Sequence, residues 1–368
     1  MSLEYEDESE EDSLVLAKGL ILTTGRNTYI VQNLLAEGTF GAIYKVAEKQ
    51  RPSDIRAMKI EKNIEDRTRS KLRTEIMILQ RLGGKTHFPI LFDTGTQETF
   101  TFLIMELLGK NLADLKKVRP HEVFSLATGL SVSCQCLEAC RELHYAGYVH
   151  RDVKPANFVC GRGKKLRTIY MLDFGISKKL VPVSKEDLSQ GRRFRGTIRY
   201  ASIPCHMCEE LGPRDDCESW LYMMVDLLSP LSVPWRNAGH RNVVLRIKQE
   251  VRRDKRDLFV CGIKCKKSIL AIMDYIDTLK RMTPVDYAFM LEAIEKDARR
   301  LKCNLTAPYD WETDCQNESR KSRSTDKTAN VIREEGTQQS EERMELLGPA
   351  SSEESQMLGT STQNTQSD

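Results

Sequence analysis

Short runs with strand-like patterning fall early in the chain, and longer stretches of helical periodicity follow them. Tyr29–Leu35, Ala42–Ala47 and Arg56–Glu61 predict strands, and Phe100–Gly109 reads as a buried strand running into a connector. Ile169–Leu172 is a further apolar run of strand length. In Arg67–Leu82, Leu72, Ile76, Leu79 and Leu82 recur at helical spacing, and Val123–Ala146 carries Leu126, Leu130, Cys134 and Leu137 on one face. Cys134, Cys136 and Cys140 therefore belong in or near a core. No apolar run approaches membrane-spanning length, and no internal repeat is visible.

Polar groups fall at defined points of this framework. His150-Arg151-Asp152-Val153-Lys154-Pro155-Ala156-Asn157 holds a carboxylate, an ammonium and an amide at the spacing that phosphoryl transfer uses. Asp173-Phe174-Gly175 follows the strand ending at Leu172, sixteen residues after Asn157. Upstream, Ala57-Met58-Lys59 lies near the end of a strand, and Glu75 stands sixteen residues further on, in the first predicted helix. Before both comes Leu35-Ala36-Glu37-Gly38-Thr39-Phe40-Gly41-Ala42-Ile43, a turn between strands whose glycines let backbone N–H groups approach phosphates closely.

Loop, Lys, Glu, H-R-D with Asn, and D-F-G, in that order, resemble the protein kinase family. The resemblance implies an α+β, two-lobed fold: a small strand-rich N-lobe with one main helix over about 29–104, a hinge over about 105–109, and a larger helical C-lobe over about 110–312. It also implies ATP and Mg2+ as cofactors. Asp152 would accept the proton of a substrate hydroxyl, with Asn157 and Asp173 holding magnesium. Lys154 would offset the charge of the transferring group, Lys59 paired with Glu75 would orient the inner phosphates, and Thr197 would lock Asp152 and Lys154 in place. Adenine would lie at the hinge, against the backbone of Glu106 and Leu108 with Met105 gating the space behind. Its walls would be Leu35, Ile43 and Ala57 above, and Val159 and Leu172 below. Thr39 and Phe40 complete the phosphate loop.

Within that family the chain is similar to the casein kinase 1 group, and most to the tau-tubulin kinases. Met105-Glu106-Leu107-Leu108-Gly109, Asn111-Leu112-Ala113-Asp114-Leu115 and Phe194-Arg195-Gly196-Thr197-Ile198-Arg199-Tyr200-Ala201-Ser202-Ile203 carry the likeness. So do Arg214–Trp220, Pro234-Trp235 and Pro308-Tyr309-Asp310-Trp311-Glu312. The matching span, about Tyr29–Glu312, implies a serine/threonine kinase with protein substrates, in which Asp216 ties down the catalytic loop. A pseudokinase scaffold is the alternative. Three departures stand out: Ala36 occupies the first loop glycine's place, Pro204 replaces an Asn, and Arg241 with Arg236, His240 and Arg246 only loosely resembles the family's phosphate-receiving basic patch. Arg199 matches the family's substrate-anion site, and Arg195 and Arg241 join it, so acidic or already phosphorylated targets are expected.

Charge sharpens the boundaries. Residues 1–28 open with seven acidic side chains before any basic one, and 313–368 form a Ser/Thr/Glu-rich tail; both read as disordered. The formal charge is +3, yet the acidic ends carry about −11 between them, leaving the folded part near +14 and suited to acidic partners. No nucleic-acid-binding pattern accompanies that charge, so nucleic acid is not expected as the primary partner. Eleven cysteines without a signal peptide read as reduced thiols, in a cytoplasmic or also nuclear protein with no membrane partner. Cys205-His206-Met207-Cys208 lacks a second pair and reads as packing rather than a zinc site. A monomer is expected. Ser177, Ser184 and Ser189 are the activation-segment serines.

Overall fold

The early strand-forming runs pair into one antiparallel sheet, ordered β1-β2-β3-β4-β6-β5. Its members are β1 (Ile21–Thr23), β2 (Thr28–Gly38), β3 (Gly41–Glu48), β4 (Arg51–Lys62), β5 (Leu91–Thr96) and β6 (Phe100–Glu106). The computed structural model describes residues 15–38, 41–63, 70–182 and 193–312. The chain divides into two units, Met1–Asp310 and Trp311–Asp368, and only residues 311 and 312 of the second are among those described. The acidic start to residue 14, Thr39, Phe40, Arg67, Ser184, Ser189, Arg192 and the tail from 313 lie outside the described residues.

One side of the sheet buries Tyr29, Val31, Tyr44, Val46, Met58, Ile60, Phe102 and Ile104 in a single cluster. The sheet begins upstream of the expected boundary at 29. Residues 21–23 pair with 28–30 as β1, and the Leu16 amide donates to the Tyr44 hydroxyl at 2.9 Å. Leu22 joins the buried cluster of the sheet and Leu16 packs against it, which ties this stretch to the lobe.

The helix bearing Glu75 is α1 (Lys71–Leu82). Ser70 caps it by accepting from the Arg73 amide at 3.1 Å. Its buried face is Leu72, Glu75, Ile78, Leu79 and Leu82; Ile76, expected on that face, is only half-buried. Glu75 takes the interior place one turn from Leu72, because it has a cationic partner there.

Helices dominate the second lobe: α2 (Leu112–Lys117), α3 (Leu126–Tyr145), α4 (Ile203–His206), α5 (Pro213–Leu228), α6 (Arg241–Arg253), α7 (Arg256–Phe259), α8 (Lys266–Thr278) and α9 (Tyr287–Arg300). α3 is shorter than Val123–Ala146 because Ser125 caps it. Cys136 and Cys140 are fully buried and Cys134 partly so, as the α3 periodicity predicts. α5 is buried along nearly its whole length, and the Trp220 indole donates to the Ser133 carbonyl at 2.8 Å. Two small sheets, β7 (Tyr148–Val149) with β10 (Lys178–Lys179) and β8 (Phe158–Cys160) with β9 (Ile169–Met171), bracket the loops that matter. Residues 150–157 lie between β7 and β8, and residues 172–177 between β9 and β10, so pairing of the strands brings the two loops side by side.

Candidate active site

β4 lies between β3 and β6, with Lys59 opposite Ile43 and Leu103. From that central strand its ammonium reaches Glu75 Oε2 at 2.6 Å and Asp173 Oδ1 at 3.3 Å. Burial opposes charge on Lys59, but the two facing carboxylates outweigh it and raise its pKa. Burial also raises Glu75 against the pull of Lys59; the ammonium's direction governs the pair, since two acids face one base. Asp173 resists desolvation too, and Lys59 and His150 hold it below the usual carboxylate range. Three side chains from a strand, a helix and a loop thus form one charged cluster.

The second half of the site is built on Asp152. Its Oδ2 accepts from Lys154 Nζ at 2.6 Å, and its Oδ1 from the Thr197 hydroxyl at 2.7 Å. Lys154 also reaches Thr197 Oγ1 at 3.1 Å, which closes the triangle. The Asn157 amide nitrogen donates to the Asp152 carbonyl at 2.8 Å, leaving Oδ1 as the atom suited to a cation. Asp216 at the start of α5 anchors the loop, accepting from the His150 and Arg151 amides at 2.6 and 2.8 Å, with His144 Nε2 at 2.8 Å. Burial pushes this carboxyl up, but those histidines bring it below its ordinary range. Arg151 and Asp173 sit at φ 73° and 64°, a left-handed conformation that costs roughly 1–3 kcal/mol each and persists where surrounding bonds impose it. Phe174, stacked on Phe88 at 5.9 Å and edge-on to His150 at 5.6 Å, packs the loop that carries Asp173.

A cavity of about 410 Å³ opens between the lobes. Of the expected nucleotide residues, Ala36, Glu37, Gly38, Gly41, Ala42, Ile43, Lys59, Met105 and Leu172 line it, together with Glu75, Asn157 and Asp173. Leu35, Ala57, Glu106, Leu108 and Val159 do not. Leu35 is half exposed where the β2–β3 register slips between Leu34 and Ala36, and Ala57 and Val159 are buried within their strands. Thr39 and Phe40 are not described. Gly41 is demanded by sterics: a Cβ there would lie 1.9 Å from the Ile60 carbonyl oxygen, whereas at Gly38 the nearest atom is 3.9 Å away. A carboxylate and an amide oxygen on one wall, with a fixed ammonium and the Gly41 loop on the other, fit a metal-bound polyphosphate.

The segment after Thr197 is fastened by Lys248, to which no motif pointed, and by two acids of the Arg214–Trp220 stretch. Lys248 of α6, fully buried, donates to the carbonyls of Ala201 and Ile198 at 2.6 and 3.2 Å, below the rings of Tyr222 and Trp235. Ser202 donates to Asp215 at 2.9 Å, and the Ile203 amide to Glu218 at 2.9 Å. Asp215 and Glu218 belong to a stretch already singled out, but in sequence Lys248 is an isolated Lys on a helix, and nothing in its spacing marks it.

A strand-rich lobe over a helical one, with a Lys–Glu–Asp cluster facing an Asp–Lys–Asn–Thr cluster across one cleft, defines a phosphotransferase of the two-lobed kinase class. Residues 29–260 match the protein kinase domain. The serine/threonine-protein kinase spe-6 of Caenorhabditis elegans is 32% identical over 77% of this chain and 75% of its own. A protein of the same organism named for casein kinase I is 30% identical over 78% of this chain and 84% of its own. The chain belongs to the protein kinase family and is a serine/threonine-protein kinase, and kinases of this domain use ATP and Mg2+.

Proposed function

We propose that this kinase transfers the γ-phosphoryl of ATP to Ser or Thr hydroxyls of protein substrates, favouring acidic or already phosphorylated sites, and that it belongs to the casein kinase 1 group near the tau-tubulin kinases. The observation that carries the chemistry is the Asp152–Lys154–Thr197 triangle set against Asn157 and Asp173. Asp152 takes the acceptor hydroxyl's proton, while Lys154 and Thr197 hold its two oxygens in one orientation. Asn157 and Asp173 would hold magnesium, which when bound supplies charge neutralisation on the phosphates. Lys59, fixed by Glu75, orients the inner phosphates. The adenine lies near Met105, Ile43 and Leu172.

Substrate preference rests on three arginines around one segment. Arg195 is exposed, Arg199 donates to the Arg236 carbonyl at 3.2 Å, and Arg241 lies 5.6 Å over the Phe194 ring. Among the described residues no carboxylate comes within ion-pair distance of any of the three, and the fold's net positive charge favours the same partners. The test is peptide kinetics with acidic, phosphorylated and neutral acceptors. Arg199→Ala is expected to lower kcat/KM for the anionic peptides about 10-fold, the worth of one charge-assisted contact, and to leave the neutral one unchanged. Equal effects on both would remove the preference. The ten free thiols among the described residues suit a reducing compartment, the cytoplasm or nucleus.

A further inference from the structure

We propose that Glu61 is a positioning residue that seats α1 on β4 so that Glu75 meets Lys59. Side chains two apart on a strand share a face, so β4 presents Lys59 and Glu61 to the same helix. Lys59 takes Glu75. Glu61 takes the helix's N-terminus: Oε1 accepts from the Lys71 amide at 3.0 Å, and Oε2 from the Leu72 amide at 3.2 Å and from the Ser70 hydroxyl. The first N–H groups of a helix have no partner within it, and its N-terminus attracts negative charge. The first turn of α1 contains no acidic residue, so the anion comes from the strand.

The spacings agree. Two strand residues advance about 6.6 Å and four helical residues about 6 Å, so attachments at 59 and 61 match helix positions 75 and 71. One contact fixes a point on α1; two fix its axis. Glu61 also pairs across the sheet with Gly41, the loop glycine whose Cβ would strike the Ile60 carbonyl, and with Lys71 and Leu72 it borders the cavity. The lysine strand and the loop glycine meet at Glu61 through the backbone, and the helix meets it through the carboxylate.

The inference rests on the reading that Lys59 and Glu75 serve the nucleotide, and the experiment separates the two. Peptide phosphorylation and thermal stability are measured on the full chain for Glu61→Ala, Glu61→Gln, Glu61→Ala with Arg73→Glu, and Lys59→Met. Arg73 is an exposed third helical residue, and Glu there would supply a capping acid from within the helix. Glu61→Ala is expected to lower kcat/KM on the order of 10-fold with a raised KM for ATP, and Glu61→Gln to lose less. Adding Arg73→Glu is expected to restore Tm but not kcat/KM. Turnover unchanged in Glu61→Ala, or restored together with Tm by Arg73→Glu, overturns the inference. Lys59→Met reports on the underlying reading: near-total loss of turnover upholds it whatever Glu61 does, and full turnover removes it.

Discussion

Ala36 is a residue whose side chain bears on the phosphate loop in a simple way. It lines the cavity opposite Ile43 across the β2–β3 hairpin, and its Cβ narrows the backbone's choices where glycine would leave them open. Ala36→Gly is expected to lower the KM for ATP about 2–5-fold with kcat little changed, the scale of roughly 0.5–1 kcal/mol. Steady-state kinetics at varied ATP checks it. At this scale the charged groups of the site were legible because phosphoryl transfer requires those residue types in a fixed order. Apolar lining was less so: Leu35 and Val159 satisfy the same pattern whether they face a nucleotide or a neighbouring strand, and the register slip near Leu34 that leaves Leu35 half exposed has no sequence signature. Glu61 and Lys248 were invisible for a related reason. A carboxylate capping a helix ten residues on, or an ammonium under two carbonyls fifty residues away, leaves no spacing to read.

At the scale of elements, α5 works as the anchor for the catalytic loop. Its Asp216 collects two loop amides and His144 in a buried place, so its removal leaves those donors without an acceptor. Asp216→Ala is expected to cost about 3 kcal/mol of stability and to lower kcat more than the KM for ATP, measured by thermal unfolding and kinetics. α4 carries a second prediction. His206 is buried, stacked on Phe194 and 3.2 Å from the Lys248 ammonium. Burial first, then the Lys248 and Arg241 charges, push its pKa down to about 4, against the pull of the Ile198 carbonyl. A folded pKa below the ordinary value gives stability that is present above about pH 6.5 and lost as pH falls towards 4. The fall in Tm between pH 6.5 and 4.5 is therefore expected to be smaller in His206→Gln than in the unaltered protein. Strand positions in the first lobe followed from their patterning, but their ends did not. β4 runs to Lys62 and β2 to Gly38 because pairing with neighbours, rather than local composition, sets where a strand stops.

Across the whole molecule, order and charge told different things. The arrangement of strands before helices, joined at Phe100–Gly109, was readable because the two periodicities separate along the chain. The start of the first lobe was not, since β1 is three residues long and follows an acidic stretch. The positive charge of the folded part is the sequence-level ground for the proposed anionic partners, and in that proposal the three arginines near Thr197 turn attraction into selection. All of this serves one cleft, in which we propose that Asp152 receives the proton of the acceptor. The most direct test is steady-state transfer from ATP to an acceptor peptide, with magnesium, by the unaltered protein and Asp152→Asn. The account predicts a fall in kcat on the order of 10²–10⁴ with the KM for ATP within a few-fold; turnover retained in full by the variant would contradict it.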